Sequence, residues 1–197
     1  MLAGLVAGQH LKPKLMHVSF PPQNDDSIFS LSHQHLRTAI DGKESNGCPV
    51  VATLFTLVED NEPFDGHGTD CALLRDLHTR GCEIAAHTVS HISLLAGSKI
   101  RDERLEQQRW GTLPRSQVAA EIQGSKQHLH ARCGIPSADV VGFRAPYLEG
   151  NLTDIHAVLQ DAGFLYDSTF IDPSLRGFQE RKWPFSLGGG LPDACDR

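Results

Sequence analysis

Residues 81–91 read GCEIAAHTVSH, so a short apolar run ends in two histidines, His87 and His91, four positions apart. Two neutral imidazoles and one carboxylate make a facial metal site with open positions, suited to Zn²⁺ or another first-row divalent ion such as Co²⁺. Water held at an open position has its pKa lowered from about 15.7 towards about 7. Carboxylates are present in the pair Asp25 and Asp26, and a guanidinium in Arg144 of the string GFRAPYL. One acid would complete the ligand set and the other would take a proton from water as general base. The arginine would orient that base and hold its pKa down by charge. Each residue also has a plainer reading. The chain has 11 histidines, and others such as His33, His35, His128 and His130 look scattered. Arg144 by itself would be an ordinary buried ion pair.

What decides between these readings is where the elements put the groups. LMHVSF (15–20) and PVVATLFTL (49–57) are rich in β-branched and aromatic residues and read as strands. TDCALLRDLHTRG (69–81) reads as an amphipathic helix with Thr69 or Asp70 at its start and Gly81 as a left-handed stop, and CEIAA follows as a strand. SQVAAEIQGSKQHLHARCG (116–134) closes on Gly134 before the strand DVVGF (139–143). NLTDIHAVLQDAG (151–163) closes on Gly163 before FLYDST. Repeated helix, glycine and strand units imply right-handed βαβ crossovers and a mostly parallel sheet or barrel. In such folds ligands gather at the carboxyl ends of the strands. His87 and His91 follow CEIAA, Arg144 follows DVVGF, and Asp25 and Asp26 follow LMHVSF, so three strands deliver all five groups to one rim. The polar stretch 93–115 reads as a solvated excursion, and 175–197 as loop.

A chain of 197 residues suits one domain with a substantial core. The formal charge of −6 opposes nucleic acid as the main partner, because phosphate binding needs a basic face. No run approaches the roughly 18 apolar residues of a membrane span. The opening MLAGLVAGQ lacks the basic start and core length of a signal peptide. The five cysteines, Cys48, Cys71, Cys82, Cys133 and Cys195, contain no CxxC pair, which removes zinc-knuckle spacing. If the protein is secreted, their odd number leaves at least one without a partner in this chain.

GCEIAAHTVSH resembles the His-Ser/Thr-x-x-His metal motif of the NodB-homology polysaccharide deacetylases, and GFRAPYL resembles their Arg-x-Pro-Tyr/Phe motif. NGCPVVATLFT (46–56), AGFLYDST (162–169) and WPFSLGGGLPDAC (183–195) are similar to stretches of the chitin-deacetylase-like branch. The resemblance implies an α/β fold, a distorted (β/α) barrel, that hydrolyses the N-acetyl amide of chitin or another N-acetylglucosamine polymer. It implies His87, His91 and Asp26 as metal ligands, with Zn²⁺ as the expected ion, and Asp25 as base. Arg144 would position that base, and the backbone N–H of Tyr147 would stabilise the oxyanion. The implied location is extracellular or the cell wall.

The sequence also departs from the family pattern. Members carry Thr-Phe-Asp-Asp at the end of their first strand, whereas here Ser19-Phe20 leads into Pro21-Pro22-Gln23-Asn24 before Asp25-Asp26. One alignment puts Pro21 and Pro22 where the acids belong, and proline neither ligates metal nor takes a proton. The other treats 21–24 as an insertion and keeps Asp25 and Asp26 in role. Spacing from Asp25 to Gly47 fits the second, while a stiff, extended Pro-Pro stretch can carry the acids away. The family's later motifs, a tryptophan wall and a histidine general acid, would lie beyond Arg197, since no histidine follows His156. The expectation is a single deacetylase domain over 1–197 that lacks its C-terminal part, its barrel incomplete. Cys48 and Cys195 would then find partners in the missing segment, and Cys82 would serve packing. The competing functions are a catalytically inactive polysaccharide-binding homologue and a non-functional fragment.

Overall fold

Three glycines in the left-handed region end three helices: Gly81 at φ 91°, Gly134 at φ 71° and Gly163 at φ 71°. A side chain at such a φ is strained, which is why glycine stands there. The structure is a computed structural model and describes residues 25, 27–45, 48–58, 68–96 and 113–170. Helix α1 (Ser30–Ile40) precedes a small antiparallel hairpin of β1 (Glu44–Ser45) and β2 (Cys48–Pro49). Then β3 (Thr53–Thr56), α2 (Cys71–Thr79), β4 (Glu83–Ala86), α3 (Arg115–Cys133), β5 (Gly142–Phe143), α4 (Leu152–Asp161) and β6 (Tyr166–Asp167) alternate. The strands form a four-stranded parallel sheet in the order β3-β4-β5-β6.

Helices α2 and α4 start where side chains can cap them. Asp70 accepts from the N–H groups of Ala72 and Leu73 at the start of α2, and Asn151 accepts from Thr153 at the start of α4. Helix α3 buries Val118, Ile122, Ser125, Leu129 and Cys133, a single stripe at helical spacing. With Leu74 and Leu77 of α2 and Ile155, Val158 and Leu159 of α4, this stripe covers one face of the sheet, represented by Leu54, Ile84, Ala86 and Phe143. Consecutive strand order with a helix between each pair keeps the helices to that face. The other face carries Phe55, Ala85, Gly142 and Tyr166, as strand alternation requires.

The α/β class and parallel sheet expected from the sequence are what the chain adopts. Local readings change in four places. Residues 49–57 are not one strand, because Cys48–Pro49 pairs back on Glu44–Ser45 before β3 begins. DVVGF contributes only Gly142–Phe143 to the sheet. Helix α1 had no counterpart in the sequence reading. The excursion at 93–115 is not solvated at its start, since Leu94 is buried and forms a parallel bridge with Gly150. The strand read at 15–20 and the loop read at 175–197 lie outside the described residues.

Candidate active site

The sheet register assembles the site. Beyond the paired row of Thr56, Ala86, Phe143 and Asp167, the next residues are Leu57, His87, Arg144 and Ser168, which therefore share the face opposite α2, α3 and α4. His87 is buried, and its Nδ1 lies 2.8 Å from the carbonyl oxygen of Arg144. A carbonyl only accepts, so Nδ1 carries the proton and the ring lone pair lies on Nε2. The Arg144 N–H donates in turn to the carbonyl of Ala86 at 3.1 Å. Backbone pairing of β4 with β5 thus continues one residue further and fixes the imidazole tautomer. His91 is also buried, its ring centroid 5.2 Å from that of His87 and 4.8 Å from that of Tyr147, which meets it edge-on.

The backbone between the imidazoles is bent sharply. Thr88 at φ 64° and His91 at φ 56° are left-handed, a conformation that costs a non-glycine residue on the order of 1–3 kcal/mol. Between them, the N–H groups of Val89 and Ser90 both donate to Oε2 of Glu121 on α3 at 2.9 Å. The Ser90 hydroxyl donates to Oε1 of the same carboxylate at 2.6 Å.

Arg144 is the hub of the other half. Its Nη1 donates to both Asp25 oxygens, at 2.8 and 3.0 Å, and its Nη2 to Ser168 Oγ at 2.8 Å. The guanidinium carbon sits 4.0 Å from the centre of the Phe55 ring, crossing β4 where Ala85 offers only a methyl group. Ala145 N–H donates to Thr169 Oγ1 at 2.9 Å, and Thr169 N–H to Asp167 at 2.9 Å, so the end of β6 braces this loop through backbone and side chain. The loop then turns through Tyr147 (φ 60°) and Leu148 (φ 56°). Ser93 Oγ donates to Glu149 at 3.0 Å beside the Leu94–Gly150 bridge, which ties the histidine loop to the arginine loop.

Asp25, His87, His91, Arg144 and Tyr147 therefore all belong to these two joined loops and the carboxylate they hold. Asp26, Pro21 and Pro22 lie outside the described residues. Among the described residues no three His, Cys, Asp or Glu side chains converge as a metal cage. The sequence reading did not pick out Phe55, Glu121, Ser168 or Thr169. Ser168 and Thr169 were visible in AGFLYDST, where the order of a strand and two hydroxyls is a usable signal. Glu121 had none beyond its place beside the buried stripe of α3.

The polysaccharide deacetylase profile matches residues 49–166, a span that runs from β2 to β6 and includes both histidines, Glu121, Arg144 and Tyr147. Chitin deacetylase 8 of Bombyx mori is 27% identical over 176 residues, covering 89% of this chain and 39% of that protein. Chitin deacetylase 1 of Bombyx mori is 25% identical over 185 residues, covering 93% of this chain and 29% of that protein. The chain thus spans well under half the length of these relatives. Among solved structures, the family 4 carbohydrate esterase from Streptomyces lividans in complex with acetate aligns with a TM-score of 0.45 and 23% identity, over 71% of this chain and 56% of that one. The BpsB deacetylase domain from Bordetella bronchiseptica aligns with a TM-score of 0.48 and 14% identity, over 72% of this chain and 60% of that one. With the profile covering more than half of its residues, this chain belongs to the polysaccharide deacetylase family.

Proposed function

We propose that the chain carries a metal-dependent deacetylase site that removes N-acetyl groups from chitin or a similar N-acetylglucosamine polymer, within a single domain over 1–197. The observation that carries this reading is the joint geometry of Arg144. Its side chain grips the Asp25 carboxylate while its carbonyl fixes His87 beside His91. A proton-accepting acid and a pair of oriented imidazoles are the groups that amide hydrolysis needs. The donor set fits a borderline divalent ion such as Zn²⁺, with His87, His91 and Asp26 as the holders. Bound there, such an ion would polarise the acetyl carbonyl and acidify a water.

Asp25 takes the proton of the attacking water as its oxygen adds to the carbonyl carbon, and Arg144 keeps the carboxylate aimed until then. The Tyr147 N–H donates to the oxygen on which negative charge develops. As the C–N bond breaks, the proton held by Asp25 passes to the amine, and acetate leaves. The Cys71–Cys133 disulfide supports an oxidising, extracellular setting.

Acetate release from N-acetylglucosamine oligomers tests the reading. Wild type loaded with Zn²⁺ or Co²⁺ is expected to release acetate. Asp25→Asn should abolish release with metal still bound, and His87→Ala should lose the metal. A folded, metal-loaded wild type that releases none but is retained on chitin beads would favour the inactive polysaccharide-binding homologue, the reading that Pro21 and Pro22 in the acid positions would give.

A further inference from the structure

Helix α3 lies behind the histidine loop and supplies no group to the reaction, yet one of its side chains holds that loop by three hydrogen bonds. We propose that Glu121 is a positioning residue for the metal ligands: its carboxylate keeps residues 88–91 in the bent backbone that sets His87 and His91 side by side. This rests on the reading of those two histidines as ligands.

Thr88 and His91 are both left-handed, and a β-branched threonine is among the residues least suited to that region. Such a backbone persists only where its surroundings over-determine it. Two successive N–H groups, of Val89 and Ser90, converge on one oxygen of Glu121 at 2.9 Å, and the Ser90 hydroxyl takes the other at 2.6 Å. All three bonds end on a formal negative charge, which makes them shorter and stronger than neutral ones. Consecutive N–H groups turned towards one anion are the concave arrangement that a bend of this type creates. Here the anion belongs to the protein itself.

A second contact on the same helix face acts on the same loop. Gly124 stands three residues on from Glu121, and a Cβ there would lie 2.7 Å from Val89 Cγ2. The valine side chain therefore seats directly against the helix, below the carboxylate that holds its N–H. The helix can act as an anvil because its inner stripe is buried and its last residue, Cys133, is disulfide-bonded to Cys71 at the start of α2. Glu121 and Gly124 together hold the loop by backbone and by side chain.

The test uses three variants, Glu121→Ala, Glu121→Gln and Gly124→Ala, each titrated with Co²⁺ and Zn²⁺ with folding checked by circular dichroism. Glu121→Ala should weaken metal binding by about 10–100-fold, the usual effect of losing a group that orients ligands, and should change the visible Co²⁺ spectrum. Glu121→Gln should come within a fewfold of wild type, because the amide oxygen still accepts both N–H groups and the amide N–H can donate to Ser90. Gly124→Ala separates orientation from stability. Alanine favours the helix, so thermal stability should hold or fall little, while displaced Val89 should weaken metal binding. Amide exchange gives a readout without metal: Val89 and Ser90 should lose protection in Glu121→Ala while β4 keeps its own. Wild-type affinity, spectrum and Val89/Ser90 protection in Glu121→Ala would overturn the proposal. If wild type bound no metal at all, the ligand reading would fall and with it the ligand-positioning role, while the exchange data would still report whether Glu121 holds the loop.

Discussion

Arg144 and Asp25, 119 residues apart in sequence, meet through one guanidinium nitrogen that donates to both carboxylate oxygens at 2.8 and 3.0 Å. The same arginine uses its main-chain carbonyl, not its side chain, to accept from His87. One residue thus serves the acid by its side chain and the imidazole by its backbone, and mutation can separate the two. Arg144→Ala should leave the His87 tautomer and metal binding near wild type, since the carbonyl remains. Acetate release should fall by about 10²-fold or more as Asp25 loses its orientation. Arg144→Lys should recover little, because a single ammonium cannot reach Asp25 and Ser168 with the geometry of the planar fork. Loss of metal in Arg144→Ala would show that the side chain also shapes the imidazole pair.

Outside the site, α1 and α2 are joined by charge. Asp76 accepts from Arg80 Nε at 2.9 Å, His33 Nε2 at 2.8 Å and Arg37 Nη1 at 3.3 Å, while Asp41 pairs with Arg37 and Arg80. The hydrogen bond from Arg80, then that from His33, holds the Asp76 carboxyl well below the usual carboxylate range. A depressed folded pKa stabilises the fold above the ordinary value of 3.8 and loses that contribution as pH falls below it. With about a third of the side chain exposed, solvent screening limits the effect to under about 1 kcal/mol. Asp76→Asn should lower Tm at pH 7 by up to about 2–4 °C. The gap from wild type should narrow as pH drops from 4 towards 2; a gap that is constant with pH would mean that packing, not charge, is at work.

The disulfide joins the first residue of α2, Cys71, to the last of α3, Cys133, with Cα atoms 4.7 Å apart and a sequence separation of 62. Arg75 Nη1 donates to the Cys133 carbonyl at 3.0 Å across the same junction. Closing a loop of that length restricts the unfolded chain and stabilises by about 2–4 kcal/mol. The double variant Cys71→Ser/Cys133→Ser should therefore melt roughly 10 °C lower. Cys82 should not interfere, since burial pushes its thiol pKa up and keeps it protonated. Equal melting of the variant and wild type would show that the helix junction is held by its packing alone.

How much of this was legible depended on how local each cause is. Asp70 and Asn151 as caps, and Gly81, Gly134 and Gly163 as stops, act within a few residues, and helices α2, α3 and α4 could be read from them. Helix α1 could not be read. Its apolar residues are few, Leu31 among them is exposed, and its docking relies on His33 and Arg37 reaching Asp76 some 40 residues away. Leu94 and Leu95 are adjacent leucines at the head of a polar run, and only the bridge from Leu94 to Gly150 shows which of the two is core. The contact of Asp25 with Arg144 follows from the family resemblance, which makes Arg144 the residue that positions the base, and not from the local sequence. A stiff Pro-Pro stretch fixes no destination for the acids that follow it, and the partner that receives Asp25 is a side chain on a distant strand end. Glu121 is the same case on a helix, its partners lying 31 and 32 residues back.

The sheet face opposite α2, α3 and α4 holds one more long-range dependence, between Gly142 on β5 and Tyr166 on β6. A Cβ at Gly142 would lie 2.1 Å from the Tyr166 hydroxyl oxygen and 2.2 Å from Cζ, so the phenol crosses β5 directly over the glycine. It reaches Glu83 and Thr53 on the far side, and its pKa is raised by burial and then by the Glu83 charge. Thr53 Oγ1 donates to Glu83 at 2.9 Å, which joins four strands through one polar group of side chains and the gap left by the glycine. Gly142→Ala must move the ring and should cost about 1–3 kcal/mol. Tyr166→Ala removes the obstacle, so the double variant should cost clearly less than the sum of the singles, with a coupling of about 1 kcal/mol or more. Because Ser168 lies two residues beyond Tyr166 and binds Arg144, Gly142→Ala should also reduce acetate release. Urea unfolding of the two single variants and the double gives the coupling directly. Additivity within about 0.5 kcal/mol would show that the ring swings aside freely and that the crossing does not constrain the sheet.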